Sequence, residues 1–323
     1  MKRCELGRSG LEVSRLCFGG NVFGWTVDEA TSFSLLDALV DAGVDFIDTA
    51  DVYSRWMPGH QGGESETVIG RWFARTGQRA KVFLATKVGM DMGGDRKGLS
   101  ARWIERSVED SLRRLQTDYI DLYQSHTDDE SVPMDETLSA YQRLIAAGKV
   151  RVIGASNFSG ARLREALDRA DAQGLPRYQT LQPLYNLYDR AAFESDLQAL
   201  CVERGVGVIM YFSLAAGFLT GKYRSEADYG KSPRGARAIP QYMNPRGMRI
   251  LAALDAVSAE LGSTPAQVAI AWLLTRPSVS APIASATSLA QLGDLVGAVR
   301  LTLPAAAVQR LDQASDPTDT AND

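Results

Sequence analysis

Val206-Gly207-Val208-Ile209-Met210 sets five residues in a row without one polar side chain. A strand with one face in water alternates apolar and polar residues, whereas an unbroken apolar run is how a strand of a parallel sheet reads when both faces are covered. Outward from this run, seven more short stretches rich in Val, Ile, Phe and Tyr mark the chain. Strands are therefore expected at 15–20, 44–48, 82–87, 119–124, 150–156, 180–185, 207–211 and 279–285. Between them, apolar residues recur with helical period over 28–42, 64–75, 100–115, 133–147, 159–172 and 193–203, and then over a pair, 247–261 and 264–275.

End signals agree with these limits. Gly43 and Gly148 stand where a glycine ends a helix, Ser100 and Ser159 where a hydroxyl caps one, and Pro265 follows Thr264 in a first turn. Cys4 to Ser14 carries the tight-turn signal Arg8-Ser9-Gly10, which predicts a small hairpin ahead of the first unit. Eight strand-then-helix units with short connections predict an α/β fold. It is a single (β/α)8 TIM barrel with an N-terminal β-hairpin and a long loop, 212–244, after strand 7. That loop is polar and holds Lys222, Arg224, Lys231, Arg234 and Arg237; loops of such length are commonly lids or mobile segments.

The competing doubly wound sheet has no anchor, because no G-x-G-x-x-G follows any strand. Gly217-Phe218-Leu219-Thr220-Gly221-Lys222-Tyr223 is one residue short of a Walker loop, and Tyr223 replaces the Ser or Thr that would hold Mg²⁺. A length of 323 residues suggests two domains at about 150 residues each, but α/β barrels reach this size as one unit, so 1–323 is expected to be a single domain.

With 45% hydrophobic and 23% charged residues the composition is that of a globular protein. Lys+Arg 35 against Asp+Glu 39 leaves a net charge of -4 and no basic tract, which disfavours nucleic acid as a partner. No run of 18 apolar residues and no apolar leader after Met1 predict neither a membrane span nor a secretory signal, and hence a cytoplasmic protein. Cys4, Cys17 and Cys201 are odd in number, far apart and in no C-x-x-C pattern, so they read as inert buried thiols. With two histidines in the chain, a metal site is not expected. The sequence carries no signal for oligomeric state.

In such a barrel the chemistry belongs to the C-terminal ends of the strands. Asp48 closes the second expected strand, Lys87 the third, and His126 follows the fourth; each step is 39 residues, one unit per step. Tyr53 lies five residues beyond Asp48. Protonating a carbonyl oxygen while hydride reaches its carbon needs an acid whose conjugate base is tolerable near neutral pH. A phenol with a reference pKa of about 10 is too weak alone. An ammonium at about 4 Å is worth roughly 4 kcal/mol at an effective dielectric near 20, about three pKa units, so Lys87 can tune Tyr53. Asp48 would hold Lys87 charged, and a neutral His126 would donate to the carbonyl oxygen.

Asp48-Thr49-Ala50-Asp51-Val52-Tyr53, Ala85-Thr86-Lys87-Val88 and Asp121-Leu122-Tyr123-Gln124-Ser125-His126 resemble the signatures of the aldo-keto reductases, and the likeness runs along essentially the whole chain. It implies an Asp48, Tyr53, Lys87 and His126 catalytic tetrad and NADPH bound extended across the barrel mouth without a Rossmann domain. Ser156 and Asn157 in Gly154-Ala155-Ser156-Asn157-Phe158, with Gln182, match the positions that hold the nicotinamide carboxamide. Tyr211 matches the aromatic that stacks on the ring. The resemblance extends the cofactor surface to Ser213, Leu214, Gly217 and Lys222 after strand 7, and to Ser285, Thr287, Ser288, Gln291 and Asp294 after strand 8.

The chain also departs from the family. Tyr211-Phe212-Ser213-Leu214 replaces Tyr-Ser-Pro-Leu, so that a hydroxyl near the pyrophosphate is either lost or displaced by one position. Ile283-Ala284-Ser285-Ala286-Thr287-Ser288 supplies no basic residue for a 2′-phosphate, which leaves NADH possible beside NADPH, and Leu295 stands where Asn is usual. Thr127-Asp128-Asp129 follows His126, and its two carboxylates read as solvated loop charge.

The expected function is reversible reduction of a small-molecule aldehyde or ketone to an alcohol, with Trp25, Trp56 and Phe212 as pocket walls and Arg55 and His60 as possible polar contacts. The alternative is a nicotinamide-binding barrel that senses redox state with little turnover, as channel-associated subunits resembling this family do. A phosphosugar enzyme on the same barrel would want a Gly-rich phosphate cup after strands 7 and 8, and Ala215-Ala216-Gly217 and Ala284-Ser285-Ala286 are poor ones.

Overall fold

The computed structural model describes residues 1–233 and 235–318. Eight parallel strands form one sheet in chain order: β1 (Cys17–Gly19), β2 (Phe46–Asp48), β3 (Phe83–Val88), β4 (Ile120–Ser125), β5 (Val150–Ser156), β6 (Tyr178–Gln182), β7 (Gly207–Val208) and β8 (Ile283–Ala284), with β8 hydrogen-bonded back onto β1. The remaining seam, between β7 and the approach to β8, is closed by the bonds Val208 N to Ser278 O, Ser280 N to Val208 O and Ile283 N to Met210 O. The expected (β/α)8 barrel is the observed one.

Helices α1 (Glu29–Asp41), α2 (Glu64–Thr76), α3 (Ala101–Leu115), α4 (Met134–Ala146), α5 (Gly160–Gln173) and α6 (Gln198–Arg204) follow strands β1 to β6. Ser100 and Ser159 accept from Trp103 N and Arg162 N as N-caps, and Gly43 and Gly148 take the left-handed conformation just past α1 and α4. After β7 come α7 (Pro245–Leu261) and α8 (Pro265–Leu273), the latter opened by a capping box between Thr264 and Gln267. The hairpin joins Arg3–Glu5 to Glu12–Ser14.

Three expectations needed revision. The chain carries two helices beyond those expected, α9 (Leu289–Arg300), capped by Ser288, and α10 (Ala305–Ala314). Segment 212–244 is not one open loop: Ala215–Thr220, Glu226–Lys231, Gly235–Ala238 and Pro240–Tyr242 are helical turns. Arg224 and Lys231 are tied there to Asp255 and Asp228, while Arg234 lies outside the described residues. The eighth strand is shorter than 279–285, since that segment first crosses to close the seam at Val208.

Period two decides what fills the barrel. Low in it, Cys17, Phe46, Phe83, Ala85, Leu122, Ile209 and Ile283 make one apolar cluster with Leu6 and Val13 of the hairpin, which stoppers the N-terminal end. One step further along the same inward rows come Asp48, Lys87 and Gln124, all buried. An apolar floor thus lies under a polar layer at the C-terminal mouth.

Candidate active site

Lys87 is the centre of that polar layer, wholly buried, with three N–H donors and three acceptors: Asp48 Oδ2 at 2.6 Å, Thr49 O at 2.8 Å and the Tyr53 hydroxyl oxygen at 3.1 Å. Burial works against its charge, yet Asp48 and Tyr53 outweigh burial and hold its pKa above the ordinary value. The ammonium is thereby permanent and aimed at the phenol. The other carboxylate oxygen of Asp48 accepts from Gln124 Nε2 at 3.1 Å and Gln182 Nε2 at 3.0 Å.

Gln124, on β4, escaped the sequence reading; a glutamine two residues before the histidine is informative only once β4 is known to face Asp48. Gln182 Nε2 donates to Asp48 Oδ1 at 3.0 Å and to Gln124 Oε1 at 3.3 Å, so the side-chain carbonyl oxygen is the atom it has to offer a ligand. Room for this layer comes from Gly154, where a Cβ would stand 2.2 Å from Thr180 Oγ1 and 3.1 Å from Gln124 Cγ. Gly154→Ala is expected to cost about 1–3 kcal/mol of stability by overpacking, read as a lowered denaturation midpoint; a neutral result would mean the layer is looser than this contact implies.

His126 follows β4 and is almost wholly buried. Burial, and then the Lys87 charge, push its pKa well below the ordinary value, so the ring is neutral. Its Nδ1 is buried without a hydrogen-bond partner; a proton there would be an unpaired buried donor, so the tautomer with Nε2–H is favoured. Tyr53 packs edge-on against His126 (ring centroids 6.0 Å apart) and against Trp56 (5.6 Å), which in turn meets Trp25 at 5.3 Å. Trp56 and Phe212 are exposed at the mouth, and Phe212 packs edge-on against Tyr211.

Beyond His126, Ser156 Oγ donates to Gln182 O, and Asn157, in a left-handed conformation (φ 57), donates from Nδ2 to His126 O at 2.9 Å while its Oδ1 accepts from the Tyr211 hydroxyl at 2.9 Å. Neither residue caps α5, a task that falls to Ser159. Ser156, Asn157, Gln182 and Tyr211 therefore converge beside Asp48, Tyr53, Lys87 and His126.

After β7, Phe212 (φ 55), Ala215 (φ 47), Ala216 (φ 55) and Gly217 (φ 95) run left-handed, strain of the kind found at ligand clamps. Ser213 is buried and donates to Met210 O; Leu214 and Lys222 are half-buried, and the Lys222 ammonium lies 5.1 Å from the Tyr223 ring centre. At the opposite seam, the Ser285 hydroxyl sits between Gly19 O and Asn21 Oδ1, both at 2.7 Å, which ties β8 to β1. Ser288 caps α9, Thr287 bonds Gln291 Oε1, and Asp294 accepts from Gln267 at 3.4 Å. These side chains carry structural bonds of their own.

Asp128 and Asp129 are not solvated loop charge. Asp128 pairs with Arg162 through two bonds of 2.7 and 3.0 Å, and Asp129 accepts from Leu99 N and Ser131. His60 accepts a role: its Nδ1 meets the buried Ser54 hydroxyl at 2.8 Å, while Glu64 takes the N–H groups of Ser54, Gln61 and Gly62, fastening the loop that carries Trp56. Arg55 donates to Asp91 O at 2.9 Å. Cys4 is half-buried, with Sγ 3.3 Å from Ser280 O, whereas Cys17 and Cys201 are buried. Among the described residues no group of three His, Cys, Asp or Glu side chains is placed to hold a metal ion, and no helix is long and apolar enough to cross a membrane.

The sequence pattern of the Aldo/keto reductase family matches residues 15–316. An uncharacterized oxidoreductase of Bacillus subtilis, YrpG, is 39% identical over 310 residues, covering 94% of this chain and 92% of that one. A probable voltage-gated potassium channel subunit beta of Arabidopsis thaliana is 34% identical over 310 residues (93% and 91%), and the aldo-keto reductase YhdN of Bacillus subtilis is 34% identical over 306 residues (90% and 87%). With the barrel, the mouthward polar layer and a match over nearly its whole length, the chain belongs to the aldo/keto reductase family.

Proposed function

We propose that this protein reversibly reduces an aldehyde or ketone to an alcohol, with Tyr53 as the proton donor. The observation that carries the reading is the commitment of all three donors of the wholly buried Lys87 ammonium to Asp48, Thr49 O and the Tyr53 hydroxyl. A fixed positive charge on the phenol oxygen favours phenolate, so Tyr53 gives up its proton more readily than a solvated tyrosine. Asp48, braced by Gln124 and Gln182, aims the ammonium. Neutral His126 donates from Nε2 to the carbonyl oxygen and orients it toward Tyr53.

The family uses nicotinamide cofactors, and the residues at this mouth fit one. Ser156, Asn157 and the side-chain carbonyl of Gln182 would hold its carboxamide, Tyr211 its ring, and the strained 212–217 turn with Lys222 its phosphates. Bound there, the cofactor supplies the hydride. We take the cofactor to be NADPH, with NADH accepted as well because Ser285, Thr287, Ser288, Gln291 and Asp294 put no cation at the far end. One relative, an aldo-keto reductase of Schizosaccharomyces pombe 29% identical to this chain, is named for NADP(+). Residues 1–323 act in this reading as one domain.

Initial rates with 4-nitrobenzaldehyde and each cofactor test it: turnover with NADPH at least matching that with NADH is expected, and absence of turnover with either sinks the reading. Trp56→Ala, which removes the exposed end of the Trp25, Trp56 and Tyr53 ladder, is expected to raise KM for aromatic aldehydes about 5- to 20-fold with kcat little changed. A second reading, a cofactor-binding barrel with little turnover, is favoured by the likeness to the Arabidopsis channel subunit. Tight NADPH binding without steady-state turnover would select it.

A further inference from the structure

Midway between Asp48 and Tyr53 stands a carboxyl that the proposed mechanism does not use. Asp51 turns away from the mouth into the wall between β3, β4, α2 and α3, where it is 1% exposed. Its Oδ2 accepts from Ser107 Oγ of α3 at 3.2 Å, and its Oδ1 is buried without a partner. The groups facing it are Glu66 of α2, fully buried, Arg114 of α3, the buried hydroxyl of Tyr123 of β4, which shares Ser107 with it, and beyond that Tyr141 of α4. Glu66 is already satisfied: Arg114 Nε donates to Oε2 at 2.7 Å and Thr86 Oγ1 to Oε1 at 2.5 Å. One guanidinium thus serves two carboxyls, and it is taken by Glu66. The cluster is uncharged only when Asp51 holds a proton.

The cluster grips both halves of the catalytic pair. Through Thr86 it holds the strand residue next to Lys87, and through Asp51, whose N–H points to Lys87 O at 3.3 Å, it holds the loop that ends in Tyr53. The backbone is closely confined there, since a Cβ at Gly62 would stand 2.8 Å from Asp51 O, and one at Gly70 2.1 Å from Arg114 O.

We propose that Asp51 is a positioning residue that works as the neutral acid, setting Tyr53 at hydrogen-bond distance from Lys87, and that loss of its proton loosens the loop and lowers turnover. Burial first, and then the Glu66 charge, push its carboxyl up to about 7, against the pull of Arg114, so the change falls in a range open to measurement. This rests on the carbonyl-reductase reading for its kinetic arm alone; the stability arm does not use it.

The sign follows from linkage. A carboxyl raised in the folded state binds more protons folded than unfolded, so stability falls as pH rises from about 4 to about 7 and is level above. The test compares wild type with Asp51→Asn, which is close to the neutral acid in shape, between about pH 5.5 and 8.5. The variant's kcat/KM relative to wild type is expected to climb about 5-fold or more across that range, with the wild-type decline near pH 7 missing from the variant. Thermal midpoints supply a readout free of activity: the wild-type midpoint is expected to fall relative to that of Asp51→Asn between about pH 5.5 and 7.5, a comparison that cancels the opposite slope neutral His126 gives both proteins. Parallel kcat/KM profiles for the two proteins, or a wild-type midpoint that does not fall relative to the variant's, would overturn the proposal. Wild type inactive at every pH would instead sink the carbonyl-reductase reading, and the midpoints would still decide the role of Asp51.

Discussion

Tyr53→Phe is expected to lower the rate of carbonyl reduction by about 10³-fold while leaving cofactor affinity within a few-fold of wild type. The substitution removes one oxygen and keeps the ring, so the edge-on contacts with His126 and Trp56 survive. Lys87 loses its longest bond, 3.1 Å, and keeps the shorter ones to Asp48 and Thr49 O. The net stability cost is that of one hydrogen bond, about 1 kcal/mol, so a large kinetic loss in a folded variant belongs to the proton. Single-turnover hydride transfer, followed by loss of reduced-cofactor absorbance, separates this step from product release. A variant still reducing 4-nitrobenzaldehyde within a few-fold of wild type would mean that another group donates, and His126, whose ring packs against Tyr53, would be the next to replace.

The same residues show what a linear reading can and cannot reach. The 39-residue spacing from Asp48 to Lys87 to His126 was legible because each βα unit returns the chain to the same rim, and burial on both strand faces made β7 visible in 206–210. Caps at Ser100, Ser159 and Thr264 were legible because they are local. Gln124 and Asp51 were not, since their meaning depends on which way a side chain points once β4 and the loop after β2 are fixed. At Ser285 and Ser288 the fold adds bonds that the linear order does not show, one hydroxyl going to the β8 to β1 seam and the other to a helix cap. The 212–244 segment read as a loop because its helical turns are too short to show a period.

Replacing Lys87 should separate the two jobs done by its ion pair with Asp48. Lys87→Met keeps the stem length but leaves Asp48, 2% exposed, with two carboxamides and no cation. Removing one partner of a buried pair costs about 3–5 kcal/mol, because the remaining charge is desolvated and unopposed. For a chain of this length that is a drop of roughly 5–10 °C in thermal midpoint. Carbonyl reduction should fall by about 10³-fold, since the phenol has lost the charge that favours its conjugate base. Alcohol oxidation, which needs the phenolate as base, should recover partly as pH is raised, and its alkaline rise should move upward. Adding Asp48→Asn to Lys87→Met removes the stranded charge and offers Gln124 and Gln182 a neutral oxygen of the same shape. The double variant is expected to regain most of the lost stability and none of the lost rate. Stability that stays as low in the double variant as in the single one would show that packing, not the unopposed carboxylate, set the cost; a rate that returned with stability would show that Lys87 serves the fold rather than the proton of Tyr53.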